Sequence, residues 1–299
     1  MRYALTAALA AMVMTFPAVA QESRTLTKIK ETGAITIGYR EASIPFSYLD
    51  GDQKPVGFAM DICYKIADAV KTELKLNKLE VKLQPVVTAS RIPLIANGTI
   101  DLECGSTTNN FERQKQVWFT NTYFLTAAKY VTKISSGIKK IDDLKGKTIC
   151  STSGSTNIKQ ITELNAAKNL GLTIIPVKDV AEGFLMMDTD RAVAFFNDDI
   201  VLAGLVANAK DPKLYVVSED ATSLPEPYSA IIPKDDVPFK KLADAATKAF
   251  YTSPDFPKVY AKWFEQPIPP KGINLNLPMS ATMKKAYANP TDEWDPTKY

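Results

Sequence analysis

Short runs of apolar residues alternate with amphipathic segments along most of the chain. The run AITIGYR is followed by a polar loop and then by GFAMDICYKIADAVKTEL, in which Phe58, Ile62, Ile66 and Val70 recur every four residues. That spacing puts the four side chains on one face of an α-helix. The same order of short strand, polar loop and helix recurs at TIDLECG, GKTICS and RAVAFFN. It predicts an α/β fold with mostly parallel sheets and helices on both faces.

The positions of these loops predict two lobes. In this fold class a ligand binds beyond the carboxyl ends of the strands, where helix N-termini point. Two of the four strand-to-helix loops lie before about residue 130 and two lie after it. We therefore expect a ligand cleft between lobe 1, residues 21–129 and 229–299, and lobe 2, residues 130–228. The segment with Pro225 and Pro227 is the expected return crossing, and the Pro- and Asn-rich tail after Pro267 is expected to wrap the surface without forming a core.

The first twenty residues have a different pattern. MRYALTAALAAMVMTFPAVA contains an early Arg2, an apolar run from Ala4 to Phe16, and AVA just before Gln21. This is the order of regions in a secretory signal peptide, so we predict cleavage after Ala20. The run is too short to span a bilayer. We expect the mature protein to be exported to a periplasm.

Composition narrows the possible functions. The 299 residues are 45% hydrophobic and 23% charged, with a net charge of +3 and no basic block of the kind that nucleic acid favours. There is no histidine, which removes Ser-His-Asp and Cys-His catalysis and histidine metal ligation. We therefore predict a binding protein with no metal, no cofactor and no nucleic-acid partner, and we expect a monomer.

The three cysteines, Cys63, Cys104 and Cys150, each lie in an apolar run. Their odd number leaves at least one of them unpaired in a monomer, and their spacing is unlike that of a zinc site. The favoured interpretation is that all three are small buried hydrophobic residues. A disulfide between two of them stays open.

The segment ECGSTTNNFER indicates a site for an anion. Arg113 presents a planar donor fork that fits a carboxylate, near the start of a short helix. Ser106 and Thr108, with the free N–H groups of that helix start, would add donors to the same anion. The alternative is a surface arginine paired with Glu112 or Glu103.

Two further loops have a similar character. TSGST, Thr152 to Thr156, resembles an anion-binding turn before a helix, with N-capping by Ser155 or Thr156 as the alternative. FNDDI places Asp198 and Asp199 at a strand end, where one carboxylate would accept a hydrogen bond from a ligand ammonium. The alternative for either aspartate is a helix N-cap.

Two more arginines follow strands or loops directly. Arg40 comes after the first strand, and Arg91 follows Thr88 at the start of RIPLIANG. Each arginine alone is more often part of a surface ion pair than of a ligand site. Together with Arg113 they make three cations, which is more than one carboxylate needs.

The chain resembles the periplasmic solute-binding proteins of polar amino acid ABC transporters, and most of all the glutamate/aspartate-binding members. The resemblance covers the whole mature chain and rests on GYREASIPFSY, SRIPLIANGTIDLECGSTTNNFERQKQ, DLKGK, TSGST, RAVAFFNDD and KWFEQPIPPKGINLN. It implies a two-lobed clamp (a type II periplasmic binding protein) that closes on one amino acid and docks on a membrane permease. It also implies a role for each site residue. The ligand α-carboxylate would be held by Arg113, Ser106 and Thr108, and the α-ammonium by Asp198. A side-chain carboxylate would be held by Arg40, Arg91 and Thr88. From lobe 2, Thr152 and Thr156 would close on the ligand.

One position departs from the family pattern. Glutamate/aspartate receptors carry a histidine after a Lys-Asp pair, whereas PVKDVAEGF has Val180 there. A ligand with a shorter, longer or amidated side chain therefore stays open. Two other functions also stay open: a dehydratase-type enzyme on the same scaffold, with Glu41 or Glu103 as its acid or base, and a sensor subunit that signals to a membrane receptor.

Overall fold

The structure is a computed structural model that describes residues 22–299. The predicted signal peptide, residues 1–20, lies outside the described residues. The helices are α1 Arg24–Thr32, α2 Phe58–Glu73, α3 Arg91–Ala96, α4 Phe111–Gln114, α5 Thr156–Lys168, α6 Val180–Asp188, α7 Asp199–Asn208, α8 Val237–Tyr251, α9 Phe256–Phe264 and α10 Ala281–Ala288. The strands are β1 Ala34–Tyr39, β2 Ala42–Ser43, β3 Ser47–Leu49, β4 Pro55–Val56, β5 Glu80–Pro85, β6 Leu102–Cys104, β7 Trp118–Phe119, β8 Phe124–Thr126, β9 Ala128–Lys133, β10 Thr148–Thr152, β11 Thr173–Val177, β12 Ala194–Asp198, β13 Tyr215–Val217, β14 Glu226–Tyr228 and β15 Ile231–Ile232.

Two five-stranded sheets form the centres of two lobes. Lobe 1 is built on the order β5-β1-β6-β15-β7 and lobe 2 on the order β11-β10-β12-β9-β13. In lobe 1 the strands β5, β1 and β6 are parallel, and β15 is antiparallel to its neighbours; in lobe 2 the strands β11, β10 and β12 are parallel, and β9 is antiparallel to its neighbours. The predicted α/β class with mostly parallel sheets is confirmed.

The chain passes between the two sheets twice, and the two crossings pair with each other. β8 and β14 form a short antiparallel ladder, with Leu125 opposite Pro227. β9 and β15 then begin within a few residues of β8 and β14, in different sheets. Pro227 therefore lies in an extended crossing segment, which agrees with its fixed backbone angle.

Helix α2 covers lobe 1 with the face that the sequence predicts. Phe58, Ile62, Ile66 and Val70 are all fully buried. They belong to a core cluster that continues into lobe 2 through Phe195 and other residues, while smaller clusters cover the outer face of each sheet. Apolar burial of this extent is the main force that holds such elements together.

The prediction for the C-terminal tail is wrong in part. The tail does run over lobe 1, but it also contains α10, whose Met283 and Tyr287 are buried in the main core cluster. The Tyr287 ring lies 4.4 Å from that of Phe256, and its hydroxyl donates to the carbonyl oxygen of Tyr123 at 2.6 Å. Met283 and Tyr287 are four residues apart, so they share one helical face despite the polar composition around them.

The favoured interpretation of the cysteines is wrong for two of the three. Cys63 of α2 and Cys104 of β6 form a disulfide inside lobe 1. Cys150 of β10 is a free, buried thiol, and burial raises its pKa to about 12. A buried thiol with a raised pKa carries little thiolate at neutral pH, so Cys150 alone behaves as the small hydrophobic residue that the sequence suggests.

Candidate functional site

One narrow cavity between the lobes brings together eight of the nine predicted site residues. Its volume is only about 10 Å³. The two lobes therefore almost touch there. The predicted residues that line it are Arg40, Thr88, Arg91, Ser106, Thr108, Arg113, Thr156 and Asp198, and the others are Ser155, Asn157, Val180 and Asn197.

Arg113 spans the gap between the lobes. It is the third residue of α4. The Asn110 side chain caps this helix by accepting a hydrogen bond from the Arg113 N–H. Its Nη1 donates to the carbonyl oxygen of Thr108 at 2.8 Å, and its Nη2 donates to the carbonyl oxygen of Gly154, across the cleft, at 3.1 Å. Burial, with the nearby Arg91 charge, lowers the pKa of Arg113 to about 10. The guanidinium remains charged at neutral pH, so it can bind an anion.

The acidic neighbours considered as alternative partners of Arg113 are engaged elsewhere. Glu112 turns outward and accepts from Lys115 at 2.7 Å. Glu103 is buried in lobe 1, where its Oε1 lies 4.0 Å from Nη1 of Arg91. Arg113 is thus a buried cation held by carbonyl oxygens rather than a member of a surface ion pair.

Arg40 and Arg91 form the lobe 1 wall of the cavity. Both are buried, with only 3% of each residue exposed, so the alternative of surface ion pairs is wrong. Burial and the charge of Arg91 lower the pKa of Arg40 to about 10. Arg91 donates through Nη1 to the carbonyl oxygen of Ser106 at 3.0 Å, while its Nε has no partner among the described residues. Thr88 lies in the loop that leads into α3 and also lines the cavity.

Lobe 2 contributes the start of α5. Ser155 caps this helix by accepting from the N–H of Ile158, which leaves Thr156 as its first residue. The Thr156 hydroxyl lies 3.5 Å from that of Thr108 in the other lobe. Thr152 does not line the cavity. It ends β10 behind the site, where its hydroxyl accepts from the Asn197 side chain at 3.3 Å.

The paired aspartates at the end of β12 have separate roles. Asp198 accepts from Nδ2 of Asn157 at 2.7 Å and from the hydroxyl of Tyr228, and it makes no side-chain cap. Asp199 accepts instead from the Thr126 hydroxyl and from the N–H of Ile200, both at 2.6 Å. Desolvation raises the pKa of the buried Asp198 carboxyl above its ordinary value. From its position on the cavity wall, Asp198 can accept a hydrogen bond from a cationic group of a ligand.

Glu226, on the crossing strand β14, adds a carboxylate that the sequence did not indicate. Its Oε2 accepts from the hydroxyls of Thr108 and Thr156, each at 3.1 Å, and its Oε1 accepts from Nε2 of Gln160. Burial, followed by repulsion from Asp198, raises the pKa of Glu226 to about 7. This carboxylate therefore links lobe 1 to lobe 2.

Backbone contact also joins the two lobes. Gly154 has a φ of +76°, and a Cβ at this position would lie 3.0 Å from the Cα of Ala89 in lobe 1. Any other residue would be strained there and would also push the lobes apart. The TSGST turn thus needs its glycine for close approach as well as for its own conformation.

Ser155, Asn157, Asn197 and Glu226 escaped the sequence prediction. Three of them adjoin predicted residues, since Ser155 precedes Thr156, Asn157 follows it, and Asn197 precedes Asp198. The rule that helix starts and strand ends face the cleft would have found all three. No local signal marks Glu226, because its partners lie 118 and 70 residues away in the chain.

The arrangement is suited to a small zwitterion that carries extra negative charge. Three buried arginines provide more positive charge than one carboxylate requires, and Asp198 provides a place for an ammonium group.

Glu41, one of the two acids considered for catalysis, is exposed. Among the described residues, no cluster of acidic or cysteine side chains is arranged to hold a metal ion, and no helix is long and apolar enough to cross a membrane.

The fold and the cleft define a two-lobed α/β solute-binding protein. Residues 35–266 match the family model of bacterial extracellular solute-binding proteins, family 3. The chain belongs to this family. It is therefore a binding protein and not an enzyme.

The chain is similar to amino acid-binding proteins over almost its whole length. It is 48% identical to the L-glutamate/L-aspartate-binding protein of Pseudomonas aeruginosa over 97% of this chain and 96% of that protein. It is 43% identical to the glutamate/aspartate import solute-binding protein of Escherichia coli over 90% of this chain and 89% of that protein. Its fold matches a histidine-bound substrate-binding protein of an ABC uptake transporter from Streptococcus pneumoniae, with a TM-score of 0.71, 23% identity and coverage of 82% and 98%.

Proposed function

We propose that this protein is an extracytoplasmic receptor that binds an acidic amino acid, L-glutamate or L-aspartate or both, and delivers it to an ABC permease. The observation that carries the proposal is the cluster of Arg40, Arg91 and Arg113 in one cavity that faces Asp198. An acidic amino acid has two carboxylates and one ammonium, which match this set of groups. The similarity to glutamate/aspartate-binding relatives supports the same ligand class.

The ligand α-carboxylate would lie near Arg113. Ser106 and Thr108 from lobe 1 and Thr156 from lobe 2 supply hydroxyl donors beside the guanidinium. Charge-assisted hydrogen bonds of this kind are the strong ones. Thr152 supports this site through Asn197 rather than by direct contact.

The other two ligand groups would lie towards the ends of the cavity. Asp198 would accept from the α-ammonium, held in place by Asn157 and Tyr228. Arg40, Arg91 and Thr88 would bind the side-chain carboxylate. Burial of the Arg40 and Arg91 guanidinium groups without a ligand anion would cost free energy. The nearby carboxylate of Glu103 lies 4.0 Å from Arg91, which is long for an ion pair.

Ligand capture would follow from movement of the lobes. We propose lobe 1 as residues 21–129 and 229–299 and lobe 2 as residues 130–228, joined at the β8–β14 ladder. The lobes would separate to admit ligand and close on it, with Arg113 and Gly154 among the contacts that re-form. The closed form, exported to the periplasm after signal-peptide cleavage, would then dock on the permease as a monomer.

Calorimetric titration of the refolded, ligand-stripped protein tests this function. The ligands are L-glutamate, L-aspartate, L-glutamine, L-asparagine and, as a neutral control, L-leucine. Micromolar or tighter binding of the acids alone, about −8 kcal/mol or more, would support the proposal. Preference for the amides, or binding of none of the five, would contradict it and would indicate that Val180 at the cavity wall has changed the ligand.

A further inference from the structure

Glu226 occupies hydrogen-bond donors that the proposed function gives to the ligand. Its Oε2 accepts from the hydroxyls of Thr108 and Thr156, one from each lobe. A hydroxyl has one proton to donate, so neither threonine can serve Glu226 and a ligand carboxylate at the same time. The protein therefore carries an internal carboxylate in competition with the α-carboxylate of its ligand.

We propose that Glu226 is a positioning residue that holds the cleft together without ligand and takes up one proton from solvent when an acidic amino acid binds. The inference rests on the proposed function, because it needs a ligand with a carboxylate beside Thr108 and Thr156. It adds to that function a coupling between binding and protonation.

Charge balance gives the first argument for this coupling. Arg40, Arg91 and Arg113 line the site, and the carboxyl groups of Glu103, Asp198 and Glu226 lie near them, so negative charge is already present beside the arginines. An acidic amino acid adds a net charge of −1 to this partly desolvated cluster. One proton on Glu226 would offset that added charge.

The surroundings of Glu226 give the second argument. The charged and titratable groups that face it are Asp198 at the end of β12, Arg113 of α4 and Tyr228 of its own strand. Burial and Asp198 already raise its pKa, while the Thr108, Gln160 and Thr156 side chains lower it by hydrogen bonding. A ligand that takes over the two hydroxyls removes part of this stabilisation and adds a negative charge nearby. Both changes favour the protonated form.

Protonated Glu226 can keep its position beside Thr108 and Thr156. A neutral carboxyl has an O–H donor, so Glu226 can donate to the incoming carboxylate instead of repelling it. The Oε1 of Gln160 is buried without a partner among the described residues, although its Nε2 contacts Glu226. Rotation of that amide by half a turn would make Oε1 an alternative acceptor for the hydrogen bond from the Glu226 O–H.

The sign of the pH dependence follows directly. If binding raises the pKa of Glu226, protons are taken up at any pH between the free and bound values. Affinity is then highest in mild acid and falls as the pH rises through the pKa of the free protein, by up to about tenfold per pH unit.

The test is calorimetric titration of L-glutamate into the full protein at pH 8 in phosphate and in Tris, whose ionisation enthalpies differ. The difference in observed enthalpy gives the number of protons exchanged. We expect uptake of up to about one proton per ligand in the wild type and close to none in Glu226→Gln, whose affinity should also vary less between pH 6 and 8. Glu219→Gln, at an exposed site in lobe 2, is the matched control and should behave as the wild type.

The possible outcomes separate this inference from the proposed function. No proton exchange in the wild type, or equal uptake in wild type and Glu226→Gln, would overturn the inference while glutamate binding stood. Failure of the wild type to bind any acidic amino acid would overturn the proposed function and this inference with it. If Glu226→Gln does not fold, Glu226→Ala takes its place, and wild-type uptake that persists in it also overturns the inference.

Discussion

Arg91 and Glu103 face each other inside lobe 1 with 4.0 Å between Nη1 and Oε1, and both side chains are almost fully buried. This distance is long for a hydrogen-bonded ion pair. Both Nε of Arg91 and Oε1 of Glu103 lack a hydrogen-bond partner among the described residues. Glu103 therefore balances the charge of Arg91 but leaves some of the Arg91 N–H donors unused. The guanidinium can use these donors to bind a second carboxylate.

The first prediction concerns how Arg91 distinguishes an acid from an amide. Arg91→Ala should weaken binding of L-glutamate or L-aspartate by about 2–5 kcal/mol, the usual cost of truncating one partner of a buried charge pair. It should weaken L-glutamine or L-asparagine much less, because an amide has no charge to pair. Calorimetric titration with all four ligands measures the difference.

Arg191→Ala is the control for Arg91→Ala, since Arg191 is exposed on lobe 2. It should leave all four affinities unchanged. Equal losses for acids and amides in Arg91→Ala would show that Arg91 does not read the ligand side chain.

Arg113 should show no such selectivity. Arg113→Ala removes the proposed partner of the α-carboxylate and also the bond to the carbonyl oxygen of Gly154 across the cleft. Every amino acid that binds should lose about 2–5 kcal/mol. A loss confined to the acidic ligands in the same titrations would contradict the α-carboxylate assignment.

Local sequence order accounts for most of the site that could be predicted. Arg113, Thr156 and Asp198 each lie within a few residues of a strand end or helix start, and such loops converge in this fold class. Glu226 depends instead on contact between lobes, and its partner Thr108 is 118 residues away. The disulfide escapes sequence reasoning for a related reason: all three cysteines occupy similar apolar runs, and only the tertiary structure pairs Cys63 with Cys104.

The third prediction concerns the charge on Asp198. Desolvation raises its pKa in the folded protein, so its ionised form costs stability at neutral pH. This cost falls as the pH drops through the folded pKa, because the native state then takes up the proton first. Asp198→Asn should therefore stabilise the ligand-free protein at pH 7, with a smaller gain in acid.

The same substitution should weaken binding of every amino acid, since the α-ammonium loses its ionised acceptor. Urea unfolding at pH 7 and pH 4, together with L-glutamate titration, measures both effects. A variant that is less stable than the wild type at pH 7 would contradict the expected gain in stability. Unchanged affinity would remove Asp198 from the proposed site.

The disulfide gives a fourth prediction. Cys63 and Cys104 are 41 residues apart, so their bond restricts a long loop in the unfolded chain. Its loss in Cys63→Ala/Cys104→Ala should lower the free energy of unfolding by about 2–4 kcal/mol. Dithiothreitol should lower the melting temperature of the wild type but not that of the double variant, because the remaining Cys150 is already a thiol. Equal sensitivity of both proteins to the reductant would show that the bond is not formed in solution.

The last prediction is that the C-terminal helix stabilises lobe 1. Tyr287 packs on Tyr251 and Phe256, with ring centroids 5.5 and 4.4 Å away, and its hydroxyl bonds to the Tyr123 carbonyl oxygen. Tyr287→Ala should lower the free energy of unfolding by about 3–5 kcal/mol, and Tyr287→Phe, which loses only the hydroxyl, by about 1 kcal/mol. Trp294→Ala, at a residue that is 42% exposed, is the control and should cost less. Equal urea midpoints for Tyr287→Ala and wild type would show that α10 is not part of the cooperative core.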